Sequence, residues 1–533
     1  MLARLMIKVA FCLLAVLVTT PPAHAQATLP GPDAPKPNII FIFTDDHASQ
    51  SIGAYGSKIN QTPNLDRIAS EGAIFLNSFC ANSICGPSRA TILTGLHSHM
   101  NGFKDNTSRF DSSQQTFPKL LQKAGYATAM IGKYHLWNDP QGFDKWMILP
   151  GQGEYYNPQF KTQNQELIQV QGYVTDVITD FGLQWIDQER DKDKPFMLML
   201  QHKAPHRTWM PGPQELSLYR DKDIPEPDTL FDDYKGRGPG AAKTEMQIDR
   251  HMYFAYDLYC PVRNDEFLFS YYEENVGRMT PEQRADWDAA FEPENKAFLA
   301  KMEKMTDKQI VQWKYQRYIK NYLRCIAGVD RNVGRVLDYL DANPQLKENT
   351  IVIYSSDQGF FLGEHGWYDK RWMYEQSLKM PLMMRWPGVI EPGTRLTQLV
   401  QNIDYAPTFL DIAGVEPETP MQGRSLLDLW RKDAEPWRDA VYYRYYESQV
   451  VHNVPAHYGI RTAKYSLMHF YESNYNYYEL YDLEKDPQQM HNVYDDPAYK
   501  ELASDLKIQL TDLREEYKDN KPINAEDWRG KRR

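Results

Sequence analysis

Two carboxylates, Asp45-Asp46, follow the apolar run 38–43 (NIIFIF), and a second oxygen-bearing pair, Asp357-Gln358, follows the run 350–356 (TIVIYSS). Carboxylate and amide oxygens are the ligands a hard cation such as Ca2+ prefers, so the two pairs brought together would make a calcium site. Either pair alone could instead cap the next helix or turn. Two further runs lead into basic residues: 126–131 (YATAMI) into Gly132-Lys133-Tyr134-His135, and 195–202 (PFMLMLQH) into Lys203 and His206. A cysteine joins the set. In Cys85-Gly86-Pro87-Ser88-Arg89 the proline suits the first turn of a helix continuing to Gly95, which puts Cys85 at or just before a helix N-terminus. Backbone N–H groups there favour an anion and lower a thiol pKa, which reads as a thiolate nucleophile with a histidine base. A soft thiolate is nevertheless a poor partner for hard carboxylates around calcium.

The elements that must position these residues are legible from their texture. Continuous apolar runs of six to eight residues read as strands buried on both faces of a parallel sheet. In open α/β sheets ligands gather outside the carboxyl ends of the strands, so four such ends can meet at one place. Helices are expected between them. Residues 62–72 (TPNLDRIASEG) offer Thr62 as N-cap, Pro63 at the first position and Gly72 as the stop. From Ile319 to Leu340 apolar residues recur at three-and-four spacing. Residues 212–318 break the rhythm and read as an insertion or excursion beside the site. After 415 the segments AVYYRYYES, HYGIRTAKYSLMHFY and YYELYDLEKDP alternate and are aromatic, which predicts a small antiparallel sheet packed by helices. The expected organisation is a catalytic α/β domain over 36–415 and a C-terminal subdomain over 416–533.

Composition narrows the functional classes. The 533 residues carry a net charge of −11, so no basic field covers the molecule and nucleic acid is excluded as a partner. Aromatic residues make up 13% of the chain, with 35 tyrosines, and such surfaces suit sugar rings. Residues 1–25 join Arg4 and Lys8 to a short apolar run and end in Ala23-His24-Ala25, the pattern of a cleaved signal peptide. No other stretch is long and apolar enough for a membrane span, and the mature chain is expected to be periplasmic or secreted. The terminal RGKRR reads as a solvated tail. Of the five cysteines Cys12 lies in the leader. Cys80, Cys260 and Cys325 read as buried small apolar residues rather than a disulfide or zinc framework.

The Cys85-Gly86-Pro87-Ser88-Arg89 stretch followed by ATILTG resembles the C-x-P-S-R motif of the type I sulfatases. It is joined in order by TDDH, GKYHLW, KAPH and SDQGFFLGEHGWYDK. The resemblance implies an alkaline-phosphatase-like α/β fold and a cysteine oxidised to Cα-formylglycine by a formylglycine-generating or anaerobic sulfatase-maturating enzyme. An aldehyde hydrate would then present oxygen to calcium, which removes the conflict between thiolate and carboxylates. It further implies that Asp45, Asp46, Asp357 and Gln358 hold the calcium with modified Cys85. Gln358 departs from the family's commoner asparagine but keeps the amide oxygen. Arg89, Lys133 and His135 match positions around the formylglycine, and Lys203, His206 and Lys370 match those that grip the sulfate or serve the leaving group. By the same resemblance His206 is the general acid at the leaving oxygen, and His135 is the base that returns the aldehyde. Further stretches, including ILPGQGEYYNPQF and AHYGIRTAKYSLMHFY, are similar to bacterial sulfatases that remove the 6-O-sulfate of N-acetylglucosamine from glycosaminoglycan or mucin chains. On that likeness Asp369 and Arg371 would bind hydroxyls of the same sugar and His457 would close the pocket. Marine polysaccharides such as ulvan, carrageenan or fucan are the alternative substrates. A phosphodiesterase or phosphonate hydrolase of the same superfamily and a non-catalytic binder of sulfated glycan are the alternative functions.

Overall fold

The computed structural model describes residues 29, 31, 34–262, 266–431, 434–447, 451–472 and 475–520, so the expected leader and basic tail lie outside the described residues. Twelve strands come before residue 402. They are β1 (Asn38–Thr44), β2 (Ala73–Phe79), β3 (Ala127–Lys133), β4 (Lys145–Leu149), β5 (Gln159–Thr162), β6 (Leu167–Gln169), β7 (Phe196–Gln201), β8 (Thr350–Ser356), β9 (Phe361–Leu362), β10 (Tyr368–Asp369), β11 (Leu382–Arg385) and β12 (Thr394–Gln401). Ten of them form one sheet in the order β12-β2-β11-β8-β1-β7-β3-β4-β5-β6, while β9 and β10 pair separately. Within the large sheet β11 and β5 run against the other strands, so it is mixed but mostly parallel.

The four runs that lead into chemistry are the sheet's contiguous parallel centre, β8-β1-β7-β3. Register carries them to a common edge. Thr44 pairs with Ser356, Phe43 with Gln201, and Gly132 with Gln201. The hydrogen bonds continue one step past the strands: Asp357 N donates to Thr44 O at 3.2 Å and His202 N to Phe43 O at 2.7 Å. Asp45, Asp357, Lys203 and Lys133 therefore leave the sheet at one level. Every residue of β1, β3, β7 and β8 is buried, as doubly covered parallel strands require.

Helices cover both faces. The helix Asp307–Asp341 lays Ile319, Tyr322, Leu323, Ile326, Val329, Val333, Val336, Leu337 and Leu340 against the sheet. It begins twelve residues before the first periodic position, at a reciprocal cap between Thr306 and Gln309. Helix α1 (Pro63–Ser70) occupies the 62–72 segment but is not capped by Thr62. The Thr62 hydroxyl accepts from Gly53 N at 2.8 Å. The first free N–H groups go instead to Asp330 of the long helix, whose Oδ1 accepts from Asn64 N at 3.0 Å and Leu65 N at 2.8 Å. A carboxylate is the stronger acceptor for those donors, so a tertiary partner displaces the local one. Residues 212–318 contain helices Pro239–Lys243, Ile248–His251, Glu266–Gly277 and Pro281–Met302. Trp287 stacks on Phe291 within Pro281–Met302 at 4.2 Å, and Phe298 stacks on Trp313 at 3.7 Å, joining that helix to the long one.

The C-terminal segments form the antiparallel sheet β13 (Ala440–Tyr445), β14 (His457–Thr462), β15 (Tyr465–Phe470) and β16 (Tyr477–Asp482). One face packs Ile460, Leu467 and Leu480 against Ala503, Leu506 and Leu510 of the helix Lys500–Glu516. The other face sends Tyr443, Met468 and Phe470 into the main core beside Trp367 and Trp372. The architecture is thus a large, mostly parallel α/β sheet flanked by helices, with a small antiparallel sheet seated against it.

Candidate active site

Helix α2 (Cys85–Thr94) starts at Cys85 after an extended Ile84 and is buried along its whole length. Asn402 Nδ2 donates to Ser88 Oγ at 2.9 Å, and the Ser88 hydroxyl donates to Asp357 O. Arg89, one turn along, fixes three strand ends together. Its Nε and Nη2 reach Asp357 Oδ2 at 3.2 and 3.1 Å, and its Nη1 reaches Lys133 O at 2.6 Å and Gln201 Oε1 at 2.8 Å. The motif spacing thus places residue 85 over the sheet edge and locks it there with a guanidinium fork.

One carboxylate oxygen from each of Asp45, Asp46 and Asp357 lies within 4.8 Å of the others, and atoms of Asp45, Cys85 and His206 form a second such group. Asp46 adopts φ 65°, a left-handed conformation that a non-glycine residue holds only when its surroundings impose it. Asp46 N donates to Asp357 Oδ1 at 3.0 Å, and the Gln358 amide donates to Asp46 Oδ1. Lys370 Nζ bridges both Asp46 oxygens at 2.6 and 2.7 Å, and Lys133 Nζ pairs with Asp45 Oδ2. Two oxygens have no donor among the described residues: Asp45 Oδ1 and Gln358 Oε1, both buried. Buried acceptors without donors, at the centre of three carboxylates and an amide, form the hard oxygen donor set that suits Ca2+.

Burial dominates the electrostatics. It pushes the Asp46 carboxyl up to about 7 against the opposing pull of Lys370. It pushes the Cys85 thiol up to about 12, and nearby Asp357 and Asp46 act in the same direction. Burial thus opposes the thiolate that the helix N-terminus would favour. Desolvation and the two carboxylates disfavour the charged form of residue 85 as a cysteine, while Lys370 and Arg89 pull the other way. Lys203 lies 4.8 Å from the Tyr155 ring, and burial lowers it to about 8. His135 and His206 are held well below the ordinary imidazole range by burial and by the cations Lys133, Lys370 and Lys203. His206 Nδ1 meets Arg207 O, so Nδ1 carries the hydrogen and Nε2, 3.9 Å from Asp46 Oδ2, is the atom free to gain or lose a proton.

Asp369, Lys370 and Arg371 lie together in a strained turn with φ of 77° and 90° at the flanking residues. Burial would raise the Asp369 carboxyl, but His452, Lys370 and Arg371 hold it well below its usual range. Arg371 Nε and Nη1 are buried and make no hydrogen bond among the described residues; each lies 4.0 Å from a carboxylate oxygen, Asp369 Oδ1 and Glu447 Oε2 respectively, a long contact that leaves room for a closer ligand acceptor. His457 is not at this turn. It is fully buried, its Nε2 accepts from Met373 N at 3.1 Å, and its Nδ1 donates to Pro455 O at 2.8 Å. With both nitrogens engaged and the ring packed on Phe470 and Trp372, it cannot reach a sugar hydroxyl. The C-terminal histidine that does reach the turn is His452, whose Nε2 lies 3.1 Å from Asp369 Oδ2. No spacing pattern points to His452, which sits in the connection between β13 and β14. Gln201 and Gln152, which engage Arg89 and Lys133, were also missed. Gln201 had a signal, being the polar residue that ends an otherwise apolar strand. The remaining expected residues, Asp45, Asp46, Cys85, Arg89, Lys133, His135, Lys203, His206, Asp357, Gln358, Asp369, Lys370 and Arg371, converge on one locality.

Comparison with known proteins agrees with this geometry. Residues 37–415 match the sulfatase family model, and residues 363–516 match that of the N-sulphoglucosamine sulphohydrolase C-terminal region. An N-acetylglucosamine-6-O-sulfatase of Bacteroides thetaiotaomicron is 46% identical over 92% of this chain and 88% of its own length. A solved structure in complex with its substrate D-glucosamine-2-N,6-O-disulfate is 45% identical, with a TM-score of 0.88 over 92% of this chain and 99% of that one. The human N-acetylglucosamine-6-sulfatase is 27% identical over 77% of this chain and 67% of its own length. With the family model covering most of the chain and the motif residues gathered at the sheet edge, the protein belongs to the sulfatases and is a sulfuric ester hydrolase.

Proposed function

We propose that this enzyme removes the 6-O-sulfate of N-acetylglucosamine from glycosaminoglycan or mucin glycans, as a periplasmic or secreted protein whose Cys85 is oxidised to formylglycine by a maturation enzyme. The observation that carries the substrate reading is the Asp369-Lys370-Arg371 turn, in a chain nearly half identical to a sulfatase of that specificity. Lys370 on Asp46 marks the sulfate end of the pocket, while Asp369 and the Arg371 donors, which make no hydrogen bond and hold only long ion pairs to Asp369 and Glu447, offer hydrogen bonds to hydroxyls of one sugar. The catalytic unit spans 36–415, and 416–533 supplies the subdomain from which His452 reaches the turn.

Asp45, Asp46, Asp357 and Gln358, together with an oxygen at residue 85, would hold Ca2+, which supplies Lewis-acid polarisation of sulfuryl and hydroxyl oxygens. The formylglycine hydrate supplies the oxygen nucleophile that the buried, protonated Cys85 thiol cannot. The chain's own residues do the rest. Arg89 holds Asp357 and the start of α2 in register. Lys203 and Lys370 offset negative charge on the transferring group, as preorganised electrostatics require. His206 Nε2 is the proton donor to the leaving oxygen. It is neutral in the ligand-free pocket, and the negative charge of a bound sulfate ester opposes the three lysines that hold it so. His135, buried and neutral among cations, is the proton acceptor that resets the site.

The test is sulfate release by protein whose conversion at residue 85 has been verified by mass, set beside Cys85→Ala. Turnover by the converted protein and none by the variant is expected. Equal turnover by both would sink the assignment.

A further inference from the structure

We propose that a cleft beside His135 is a second sugar subsite, which receives the glycan residue next to the sulfated sugar and favours a neighbour bearing a carboxylate or sulfate. This rests on the sulfatase reading above. The cleft has a volume of about 260 Å³ and is lined in part by Arg109, Tyr134, His135, Trp137, Asp139 and Lys161. Pockets for drug-sized ligands run from about 300 to 1,000 Å³, so there is room here for one ring rather than a chain. His135 lines this cleft and also feels the charges of Lys133, Arg89, Lys370 and Lys203, which sets the cleft beside the catalytic cluster.

Trp137 sets its character. The side chain is 53% exposed, although tryptophan is usually well buried, and its ring centroid lies 5.7 Å from that of His135. An exposed, fixed indole face is a platform for the apolar C–H face of a sugar. The platform is anchored at both ends of a short chain of contacts. Trp137 Nε1 donates to Asn106 O at 2.7 Å, and Gly86 N donates to Asn106 Oδ1 at 3.1 Å. One residue therefore ties the indole to the turn that presents residue 85. His135 and Trp137 both adopt left-handed backbone conformations, φ 57° and 60°, strain that is retained where surroundings fix a functional geometry.

Charge then selects the neighbour. Lys161 is paired with Asp139 at 2.6 Å. Arg109 is exposed on the rim and makes no hydrogen bond or ion pair among the described residues. With His135 neutral, Arg109 and Lys161 against Asp139 leave one net positive charge facing the cleft. A planar guanidinium that interacts with Asp139 only at longer range, without a hydrogen bond or ion pair, is suited to a carboxylate or sulfate.

The test compares kcat/KM of the mature enzyme on a 6-sulfated glucosamine monosaccharide and on a disaccharide in which the same sugar is linked to a uronic acid. The wild type should prefer the disaccharide. Trp137→Ala and Arg109→Ala should each lower the disaccharide value about five- to tenfold while leaving the monosaccharide value within about twofold. Trp137→Phe, which keeps an aromatic face, should retain most of the preference. No wild-type preference, or an equal loss on both substrates in Trp137→Ala, overturns the subsite while leaving the sulfatase reading intact. Sulfate release from neither substrate would instead count against that reading. Calorimetric titration of the unsulfated uronate disaccharide into wild type and Trp137→Ala then decides the subsite without turnover: weaker binding by the variant supports it and equal binding refutes it.

Discussion

His457 separates the sequence reading from the structure and can be tested through stability. The ring is buried, with Met373 N and Pro455 O as its two partners, and burial pushes its pKa down to about 4 from the ordinary 6.5. In the unfolded chain the imidazole takes up a proton below about 6.5, whereas the folded ring does not until about 4. The folded-state pKa is depressed, so its contribution is complete above the unfolded value and is lost as pH falls through this window. Each pKa unit is worth 1.36 kcal/mol, so between about pH 7.5 and 4.5 this histidine should cost the native state roughly 2.5 kcal/mol. His457→Gln keeps an acceptor for Met373 N but does not titrate. At about pH 7.5 the variant should be less stable by about 1–3 kcal/mol through lost ring packing. At about pH 4.5 that gap should close by roughly 2.5 kcal/mol. Urea unfolding followed by tryptophan fluorescence, at saturating calcium and at both pH values, reads the change as a shift in midpoint difference. If wild type and variant lose the same stability between the two pH values, the ring is not buried neutral. The reasoning that removes it from the sugar site would then fail.

Cys85→Ala removes a buried side chain at the head of α2 and should fold while releasing no sulfate, checked by circular dichroism beside the turnover assay. Asp45→Asn and Gln358→Ala alter acceptors that have no protein donor, so each should shrink the rise in melting temperature that calcium gives the wild type. An unchanged calcium response would place the ion elsewhere. Saturation at about 100 times Kd corresponds to about 2.7 kcal/mol of stabilisation, which sets the size of the wild-type effect. Cys80, Cys260 and Cys325 are buried with thiols pushed up to about 12, so a thiol reagent should modify none of them before denaturation. Rapid labelling of the native protein would contradict that burial.

The four central strands were legible because their apolar runs are unbroken and each ends in residues that have no other reason to follow it. The register that levels their ends could not be read, since it is set by pairing between runs about 70 to 310 residues apart. Local rules erred where a distant group was the stronger partner. Thr62 has the right type and position for a cap, yet Asp330 satisfies α1 from another helix. Cys85 sits at a helix N-terminus as expected, yet burial, helped by carboxylates 39 residues before it and over 270 after it, raises its pKa. The start of the long helix was written in Thr306 and Gln309 but was obscured by the polar residues that follow, because a helix's first turns need no apolar stripe until they meet the core. His457 and His452 lie five residues apart on the two sides of a strand start, and sequence alone gives no way to choose between them.

The most direct test of the central claim is sulfate release by converted, calcium-loaded enzyme from N-acetylglucosamine-6-sulfate measured beside galactose-6-sulfate. The Asp369-Lys370-Arg371 turn predicts turnover of the glucosamine sugar with little or none of the galactose sugar. Equal turnover of both, or release from galactose-6-sulfate alone, would contradict the substrate assignment, and release from neither would contradict the action on 6-sulfated sugars itself.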